Sequence, residues 1–365
     1  MPDSYDLAIV GGGIVGVSAA AFAAEAGMSV ALFESTAIAA GASGRNSGSI
    51  QHPFDAYMAA LNRDTVAEYR ELAKVTDFQL PPEPAGLLTL SADLEVVTRN
   101  AAVIAQIAPE TRPQVLDRAE LHELEPALAP DLVACRLETG YPVAPAAATT
   151  AFAARARAAG ATIEVGEAAE ILIDAGRATG VKLASGRRIG AGHVLIAAGP
   201  WTPGLVPDWS VRPPITRLWG VVVSVRLDAP PTAVLEEVGL EDGDPPDELF
   251  SLVTAGGIVS VGSTFLTQEP DPMSVAPRIL EHAVRFVPAL DAAESIGVRA
   301  CARPLSFDGR PLVGALPHVP GLFVCAGHGP WGISTGPASS RLVVDAIVGR
   351  GTVPEALAAV RAPVA

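Results

Sequence analysis

The sequence predicts an α/β fold in which a domain of the βαβ type is interrupted by an inserted antiparallel β-sheet. The first 34 residues read as an apolar strand, a glycine-rich turn, an alanine-rich helix and a second strand. Residues 193–199 form another apolar run that ends in small residues, as a buried strand does beside a cofactor. Between 203 and 295, strand-like segments alternate with turn residues, which indicates antiparallel pairing.

The glycine-rich turn is the strongest local signal. Gly11, Gly13 and Gly16 match G-x-G-x-x-G, and Glu34 follows Gly16 by 18 positions. The first glycine allows the tight turn, the second lets a pyrophosphate approach the backbone, and the third lets the helix lie close to the strand. Glu34 would accept hydrogen bonds from a ribose hydroxyl. The segment therefore predicts dinucleotide binding, with contacts from Gly11, Gly13, Ile14, Val15, Gly16, Glu34 and Ser35.

The other elements follow from apolar periodicity and from the positions of Pro and Gly. Residues 81–84 (PPEP) end one helical segment, and Pro126 ends another. The helices are predicted at 58–77, 93–108, 118–125, 144–160 and about 335–348, and the strands at 86–90, 161–165, 193–199, 219–226, 249–254, 257–264 and 321–326.

These elements predict a discontinuous nucleotide-binding domain. It would consist of residues 1–80, 143–202 and 296–365. A second, β-rich domain would consist of 81–142 and 203–295. The two ends of the chain would then meet in one domain.

The composition excludes two classes of partner. The chain has 365 residues, with 25 Lys and Arg against 40 Asp and Glu, and a net charge of −15. Nucleic acids and anionic lipid surfaces are bound through clustered Lys and Arg, so we expect neither.

The cysteine spacing and the hydropathy pattern indicate the cellular compartment in which the chain is expected. The three cysteines show no CxxC spacing, which favours a reducing cytoplasm over a disulfide framework. The apolar segment 7–33 follows a leader with Asp3 and Asp6, so we interpret it as a buried βαβ unit and not as a signal peptide. No other apolar run reaches about 18 residues, and we expect no transmembrane segment.

Four motifs together carry a family resemblance. They are the N-terminal fingerprint, GASGRNSG at 41–48, AAGPW at 197–201, and a C-terminal pair, CARPLSFDGRPLVG at 301–314 with GHGPWGIS at 327–334. The chain resembles the glycine oxidase/D-amino acid oxidase family of flavoproteins over essentially its whole length. The resemblance implies a Rossmann-like FAD-binding domain of the GR2 type with an inserted antiparallel β-sheet substrate domain, and FAD instead of NAD.

The resemblance also implies where FAD would be held. Residues 41–48 offer donors and glycines to the pyrophosphate and one flavin edge. Residues 329–334 open the last helix, whose N-terminus would stabilise an anionic reduced flavin. The alternatives are a flexible surface loop and an ordinary helix cap. The implied contacts are Ala42, Ser43, Arg45, Asn46, Ser47, Ala169 (backbone, toward the adenine), Ala198, Gly199, Trp201, Gly329, Gly332, Ile333 and Ser334.

Arg303 is the predicted substrate residue. It matches the family arginine that binds the substrate carboxylate, a task for which a planar guanidinium is suited. The alternative is a buried structural ion pair. His52 is a further candidate that would face the substrate, with a turn residue as the alternative. Trp331 is a candidate catalytic-site residue that would cover the flavin, with a packing residue as the alternative. Phe250 and Phe265 are expected to line the pocket from the inserted sheet.

Three positions bear on the flavin chemistry. Cys301 lies seven residues before Asp308, the spacing of the cysteine that sarcosine-oxidase relatives bond to the flavin. The alternative is a buried cysteine that behaves as a small hydrophobe, and we expect non-covalent FAD. Ser260 stands where those relatives carry a lysine that assists reaction with oxygen, and Pro330 stands where some glycine oxidases carry a second arginine.

The predicted function is the FAD-dependent oxidation of the C–N bond of an amino acid or related amine of the glycine, sarcosine or D-amino acid type. The product would be an imine, which water converts to a keto acid and ammonia, with oxygen, a quinone or a protein as electron acceptor. The alternatives are an amine dehydrogenase and a flavin-bearing electron-relay subunit of a larger complex. No metal-ligand spacing occurs, so no metal is predicted. Homo-oligomer formation stays open.

Overall fold

The computed structural model describes residues 4–207, 209, 213–239 and 247–361. The strands are β1 (Ser4–Val10), β2 (Val30–Glu34), β3 (Ser49–Ile50), β4 (Leu87–Ser91), β5 (Gln114–Leu116), β6 (Val133–Leu137), β7 (Tyr141–Pro142), β8 (Thr162–Val165), β9 (Ala169–Asp174), β10 (Arg177–Leu183), β11 (Arg188–Ile196), β12 (Ile215–Val225), β13 (Val234–Glu237), β14 (Glu248–Ala255), β15 (Ile258–Thr264), β16 (Ser295–Ser306), β17 (Leu312–Ala315) and β18 (Leu322–Ala326). The helices are α1 (Ile14–Glu25), α2 (Ala42–Arg45), α3 (Ala56–Val75), α4 (Leu94–Ile107), α5 (Arg118–Leu124), α6 (Ala147–Ala158), α7 (Pro272–Val284) and α8 (Gly332–Ile347).

The first sheet contains both ends of the chain. Its strand order is β17-β18-β11-β1-β2-β8. Off this path, β10 pairs with β11, and β9 pairs with β10. Strands β18, β11, β1, β2 and β8 are parallel to one another along this path, and β17 is antiparallel to β18. The central strands are buried on both faces, as parallel strands covered by helices are. Small residues such as Ala19 and Ala20 let α1 lie close to the sheet.

The second sheet has the order β16-β12-β15-β14-β13-β4-β6-β5. The pairings among β12, β14, β15 and β16 are antiparallel, as the sequence predicts for most of this region. Strand β4 pairs with β13 in parallel, with Leu88 opposite Leu235. This pairing joins segment 81–142 to segment 203–295 in one sheet. The α/β fold class predicted from the sequence is confirmed.

Two elements differ from the sequence-based expectation. Helix α7 lies in a Pro-rich stretch where only strands were predicted. Asp271 accepts a hydrogen bond from the Met273 N–H, and Pro272 occupies the first turn, where its missing N–H costs nothing. Strand β16 pairs with β12 in the second sheet, although most of it lies within the 296–365 segment of the predicted nucleotide-binding domain. The domain division stays a prediction. The pairing of β16 with β12 favours a last domain boundary after β16 instead of at residue 296.

Membrane spans and metal sites were both predicted to be absent. Within the described residues, no helix combines the length and apolar character that a membrane span requires. Over the same residues, no group of three or more His, Cys, Asp and Glu side chains is arranged to hold a metal ion.

Candidate active site

A cavity of about 820 Å³ lies at the carboxyl ends of β1, β2 and β11. Its lining begins at the glycine turn and Glu34 and continues through the loop at 40–47 to the last helix. The second sheet contributes Trp219, Phe250 and Arg303. A volume of this size is typical of a site for a cofactor-sized ligand.

The glycine turn packs closely against neighbouring backbone. Gly11 has a φ of +116°, and a Cβ there would collide with the carbonyl of Ala197. A Cβ at Gly16 would collide with the carbonyl of Gly11, so Gly16 lets α1 start directly behind the turn. Gly16 itself does not line the cavity.

Polar groups converge on the same turn. The Glu34 carboxylate accepts hydrogen bonds from the N–H groups of Gly12 (2.7 Å) and Thr36 (2.8 Å). Ser43 Oγ accepts the N–H of Ile14 at 2.9 Å, at the N-terminus of α1. A carboxylate for a ribose and a helix N-terminus for phosphates therefore lie side by side, which fits a dinucleotide.

The other end of the cavity is formed at the start of α8. Ser334 Oγ accepts a hydrogen bond from the N–H of Gln51 at 3.1 Å. His328 is buried and lines the cavity, and its Nε2 atom has no hydrogen-bond partner among the described residues. Burial lowers the pKa of His328 to about 4, so the ring is neutral at physiological pH. A flavin has polar atoms along its edges, and one of them would form a hydrogen bond with the unpaired His328 Nε2 atom.

Arg303 brings a positive charge into the cavity. Its guanidinium donates to the carbonyl of Thr264 (2.8 Å) and to Ser263 Oγ, and it lies 4.8 Å from the centre of the Phe265 ring. Burial lowers its pKa, but a guanidinium remains charged at neutral pH. No carboxylate of the described residues pairs with it. The alternative of a structural ion pair therefore has no support among these residues.

Cys301 lines the cavity beside three guanidiniums. Burial raises the pKa of its thiol, and Arg303, Arg299 and Arg45 lower it by less. Since the thiolate is the reactive form, this thiol is a poor nucleophile at neutral pH. A non-covalent flavin stays a prediction.

Most of the predicted residues line this one cavity. They are Gly11, Gly13, Ile14, Val15, Glu34, Ser35, Ala42, Ser43, Arg45, Asn46, Ser47, Ala169, Ala198, Gly199, Trp201, Phe250, Phe265, Arg303, Gly329, Trp331, Gly332, Ile333 and Ser334.

His52 is the exception among the substrate candidates. It does not line the cavity, because its Nε2 atom lies 3.1 Å from the Glu110 carboxylate and its ring tilts against Phe54. Its backbone N–H donates to Thr139 Oγ1. The His52 side chain is thus held by Glu110 and Phe54 and is not among the residues that line the cavity, and its role beside the substrate stays a prediction.

Gln51, Glu236 and Ser263 are among the cavity residues that were not identified from the sequence. Gln51 and Glu236 are both buried, and Gln51 Nε2 donates to Glu236 Oε1 at 2.7 Å. Ser263 lies under the Arg303 guanidinium. No local motif marks them, because residues far apart in the chain meet only once the second sheet has formed.

Comparisons with known proteins agree with this geometry. A family model described as DAO, FAD dependent oxidoreductase, matches residues 6–346. The glycine oxidase of Geobacillus kaustophilus (strain HTA426) is 27% identical over 95% of this chain and 94% of its own length. The D-amino acid dehydrogenase of Sinorhizobium medicae (strain WSM419) is 27% identical over 80% of this chain and 70% of its own. The crystal structure of glycine oxidase from Bacillus cereus ATCC 14579 has a TM-score of 0.82 at 28% identity, covering 95% of this chain and 98% of that one.

Proposed function

We propose that this chain, which belongs to the DAO family of FAD-dependent oxidoreductases, oxidises the C–N bond of an amino acid or related amine. The observation that carries the proposal is Arg303, a guanidinium in the cavity without a carboxylate partner among the described residues. A buried charge needs a partner, and a substrate carboxylate would supply one with two parallel hydrogen bonds. Relatives at similar identity include a glycine oxidase and a D-amino acid dehydrogenase.

The roles of the residues follow from their positions. Bound FAD would accept a hydride from the carbon that carries the nitrogen. Arg303 would hold the substrate carboxylate, and its contacts to Thr264 and Ser263 fix the guanidinium in one orientation. Phe250 and Phe265 would exclude water from the reacting end of the cavity.

The cofactor would be held without a covalent bond. Glu34 and the N-terminus of α1 would hold the adenosine and pyrophosphate, and the start of α8 would hold the pyrimidine end of the flavin. The raised pKa of Cys301 supports this proposal. A cytoplasmic location and any oligomeric state stay predictions.

The test is anaerobic bleaching of the flavin by a panel of glycine, sarcosine and both enantiomers of other amino acids. Bleaching by at least one amino acid, with release of a keto acid, is the expected result. A flavin that stays oxidised with every member of the panel would contradict the proposal.

A dehydrogenase is the second candidate. Ser260 stands where sarcosine-type relatives carry the lysine that assists reaction with oxygen, and this favours slow reoxidation by oxygen. Peroxide release by the purified protein would identify an oxidase. Turnover with an artificial electron acceptor, in the absence of peroxide, would identify a dehydrogenase.

A further inference from the structure

Arg299 connects segment 41–48 to the second sheet. It lies on β16, is half-buried and does not itself line the cavity. Its Nε atom donates to the carbonyl of Arg45 at 3.3 Å, and its Nη2 atom donates to the carbonyl of Asn46 at 2.9 Å. Arg45 and Asn46 both line the cavity. The guanidinium is therefore bonded to the backbone of a segment that would hold the cofactor.

The same guanidinium binds two strands of the second sheet. Its Nη1 atom donates to Ser224 Oγ on β12 at 2.6 Å, and its Nη2 atom donates to Ser260 Oγ on β15 at 2.8 Å. Ser224 and Ser260 lie opposite each other in the antiparallel pair, so their hydroxyls form one acceptor site. A planar guanidinium with five N–H donors can reach all four acceptors at once. An ammonium group, whose donors share one nitrogen, cannot span them.

The charge of Arg299 is not balanced by an ion pair. No carboxylate of the described residues pairs with it, and its four acceptors are all neutral oxygens. Burial lowers its pKa, but a guanidinium stays charged at neutral pH. A structural ion pair therefore does not account for this arginine, and what it supplies to the fold is a fixed geometry between two segments.

Segment 41–48 is tied in turn to the glycine turn. Asn46 Nδ2 donates to the carbonyl of Ser43 at 2.8 Å, and Ser43 Oγ accepts the N–H of Ile14 at the start of α1. Arg45 Nη1 donates to the carbonyl of Ala300 at 3.2 Å, which is a second bond between the segment and β16. A continuous set of hydrogen bonds thus runs from the N-terminus of α1 to the second sheet.

Strand β16 links this contact to the predicted substrate residue. Side chains alternate along a strand, so Arg299, Cys301 and Arg303 project from the same face of β16. Cys301 and Arg303 line the cavity. Four residues of strand separate Arg299 from Arg303, which is about 13 Å along β16. The position of Arg303 relative to segment 41–48 is therefore set through one extended strand.

We propose that Arg299 is a positioning residue that fixes Arg303 relative to segment 41–48. This inference rests on the proposed function, because it concerns the distance between a carboxylate on Arg303 and a flavin held by that segment. A misplacement of about 1 Å can lower the rate of a reaction roughly 100-fold. Carboxylate binding depends on Arg303 and its acceptors Thr264 and Ser263, none of which Arg299 contacts. Arg299 therefore acts on the rate of flavin reduction and not on substrate affinity.

The first test is anaerobic stopped-flow reduction of the FAD-loaded protein by an amino acid that bleaches its flavin. Arg299→Lys keeps the charge but cannot span the four acceptors. We expect the limiting rate of flavin reduction to fall about 10-fold or more, with the apparent Kd of the amino acid within about 3-fold of the parent value. Arg217→Lys, at an exposed position on β12, is the matched control and should behave as the parent. A limiting rate in Arg299→Lys equal to that of the parent would overturn the inference, as would a loss of affinity alone.

Ser260→Ala tests the same contact while the arginine stays in place. It removes one acceptor of the guanidinium, so we expect the limiting rate to fall about 3-fold or more in the parent. In the Arg299→Lys background the same substitution should have no further effect, because the contact is already lost. Equal effects in the two backgrounds would overturn the inference.

Hydrogen exchange separates this inference from the proposed function, because it requires no substrate. The amides of segment 41–48 are followed by mass spectrometry in the FAD-loaded protein. We expect exchange about 10-fold faster in Arg299→Lys than in the parent, and unchanged exchange in Arg217→Lys. If no amino acid reduces the flavin but this difference is found, the proposed function fails and the anchoring of the segment by Arg299 stands. If amino acids reduce the flavin and exchange is the same in Arg299→Lys and the parent, the inference fails and the proposed function stands.

Discussion

The guanidinium of Arg303 occupies the space that a Cβ atom on Gly220 would fill. Gly220 lies on β12 opposite Cys301, and its missing side chain lets the arginine cross the strand to reach β15. The position of the charge in the cavity therefore depends on a residue that has no functional group of its own.

Gly220→Ala tests this relationship. The added Cβ would displace the guanidinium, so we expect kcat/KM to fall by about 10-fold or more while FAD remains bound. Gly297→Ala on β16 is the control, because a Cβ there meets nothing within 4 Å. Steady-state kinetics measure kcat/KM of the two variants, and flavin absorbance measures their content of bound FAD. Unchanged kinetics in Gly220→Ala would mean that the guanidinium can move without consequence.

Replacement of Arg303 itself should have the larger effect. We expect Arg303→Ala to cost about 3–5 kcal/mol of transition-state binding, which is roughly 10²–10⁴ in kcat/KM. Benzoate should perturb the flavin spectrum of the parent protein and not that of the variant. Arg217→Ala, at an exposed site on the adjacent strand β12, should behave as the parent. Equal benzoate spectra for Arg303→Ala and the parent would place the carboxylate site elsewhere.

Glu34→Ala should weaken FAD binding. The carboxylate would bind the ribose and already accepts the N–H groups of Gly12 and Thr36. We expect a loss of about 1.5–3 kcal/mol, the range for hydrogen bonds to a charged group. Fluorescence titration of the apoprotein with FAD measures it. Glu34→Gln keeps one acceptor oxygen and should lose less, whereas an unchanged Kd in Glu34→Ala would refute the assignment.

The flavin should be released by acid. Burial raises the pKa of Cys301, so its thiol stays protonated at neutral pH and does not bond to the flavin. Acid precipitation should give a white pellet under a yellow supernatant, both in the parent and in Cys301→Ala. A yellow pellet in the parent alone would show a bond between Cys301 and the flavin.

His328 should make the protein less stable in mild acid. Its pKa is lowered to about 4 by burial, from an ordinary value of 6.5. The unfolded chain therefore takes up a proton at this residue at higher pH than the folded protein. Unfolding free energy attributable to His328 should fall by about 2 kcal/mol between pH 7.5 and pH 5. Urea unfolding of the parent and of His328→Asn at both pH values isolates this contribution, and an equal pH dependence in the two proteins would contradict it.

The N-terminal βαβ unit was predictable from the sequence because its signals are local. Gly11, Gly16 and Glu34 lie within one turn and two adjacent strands. Strands β1 and β2 are close in sequence and pair with each other, so local patterns are enough to predict this unit. Helices α3, α4 and α6 were found within a few residues of their ends, since apolar periodicity and proline positions set them. Arg303 was identified through a family motif, and the structure adds the acceptors that orient it.

Contacts between distant segments were decided only by the tertiary structure. The parallel pairing of β4 with β13 brings residues from both halves of the second sheet together, and no local pattern encodes a pairing across about 150 residues. The same holds for Gln51 and Glu236, which lie 185 positions apart. The direction of the His52 side chain likewise depends on a remote residue, because its Nε2 atom lies 3.1 Å from the Glu110 carboxylate. The sequence by itself determined the βαβ framework, because its signals are local, and the packing of remote strands decided which side chains line the cavity.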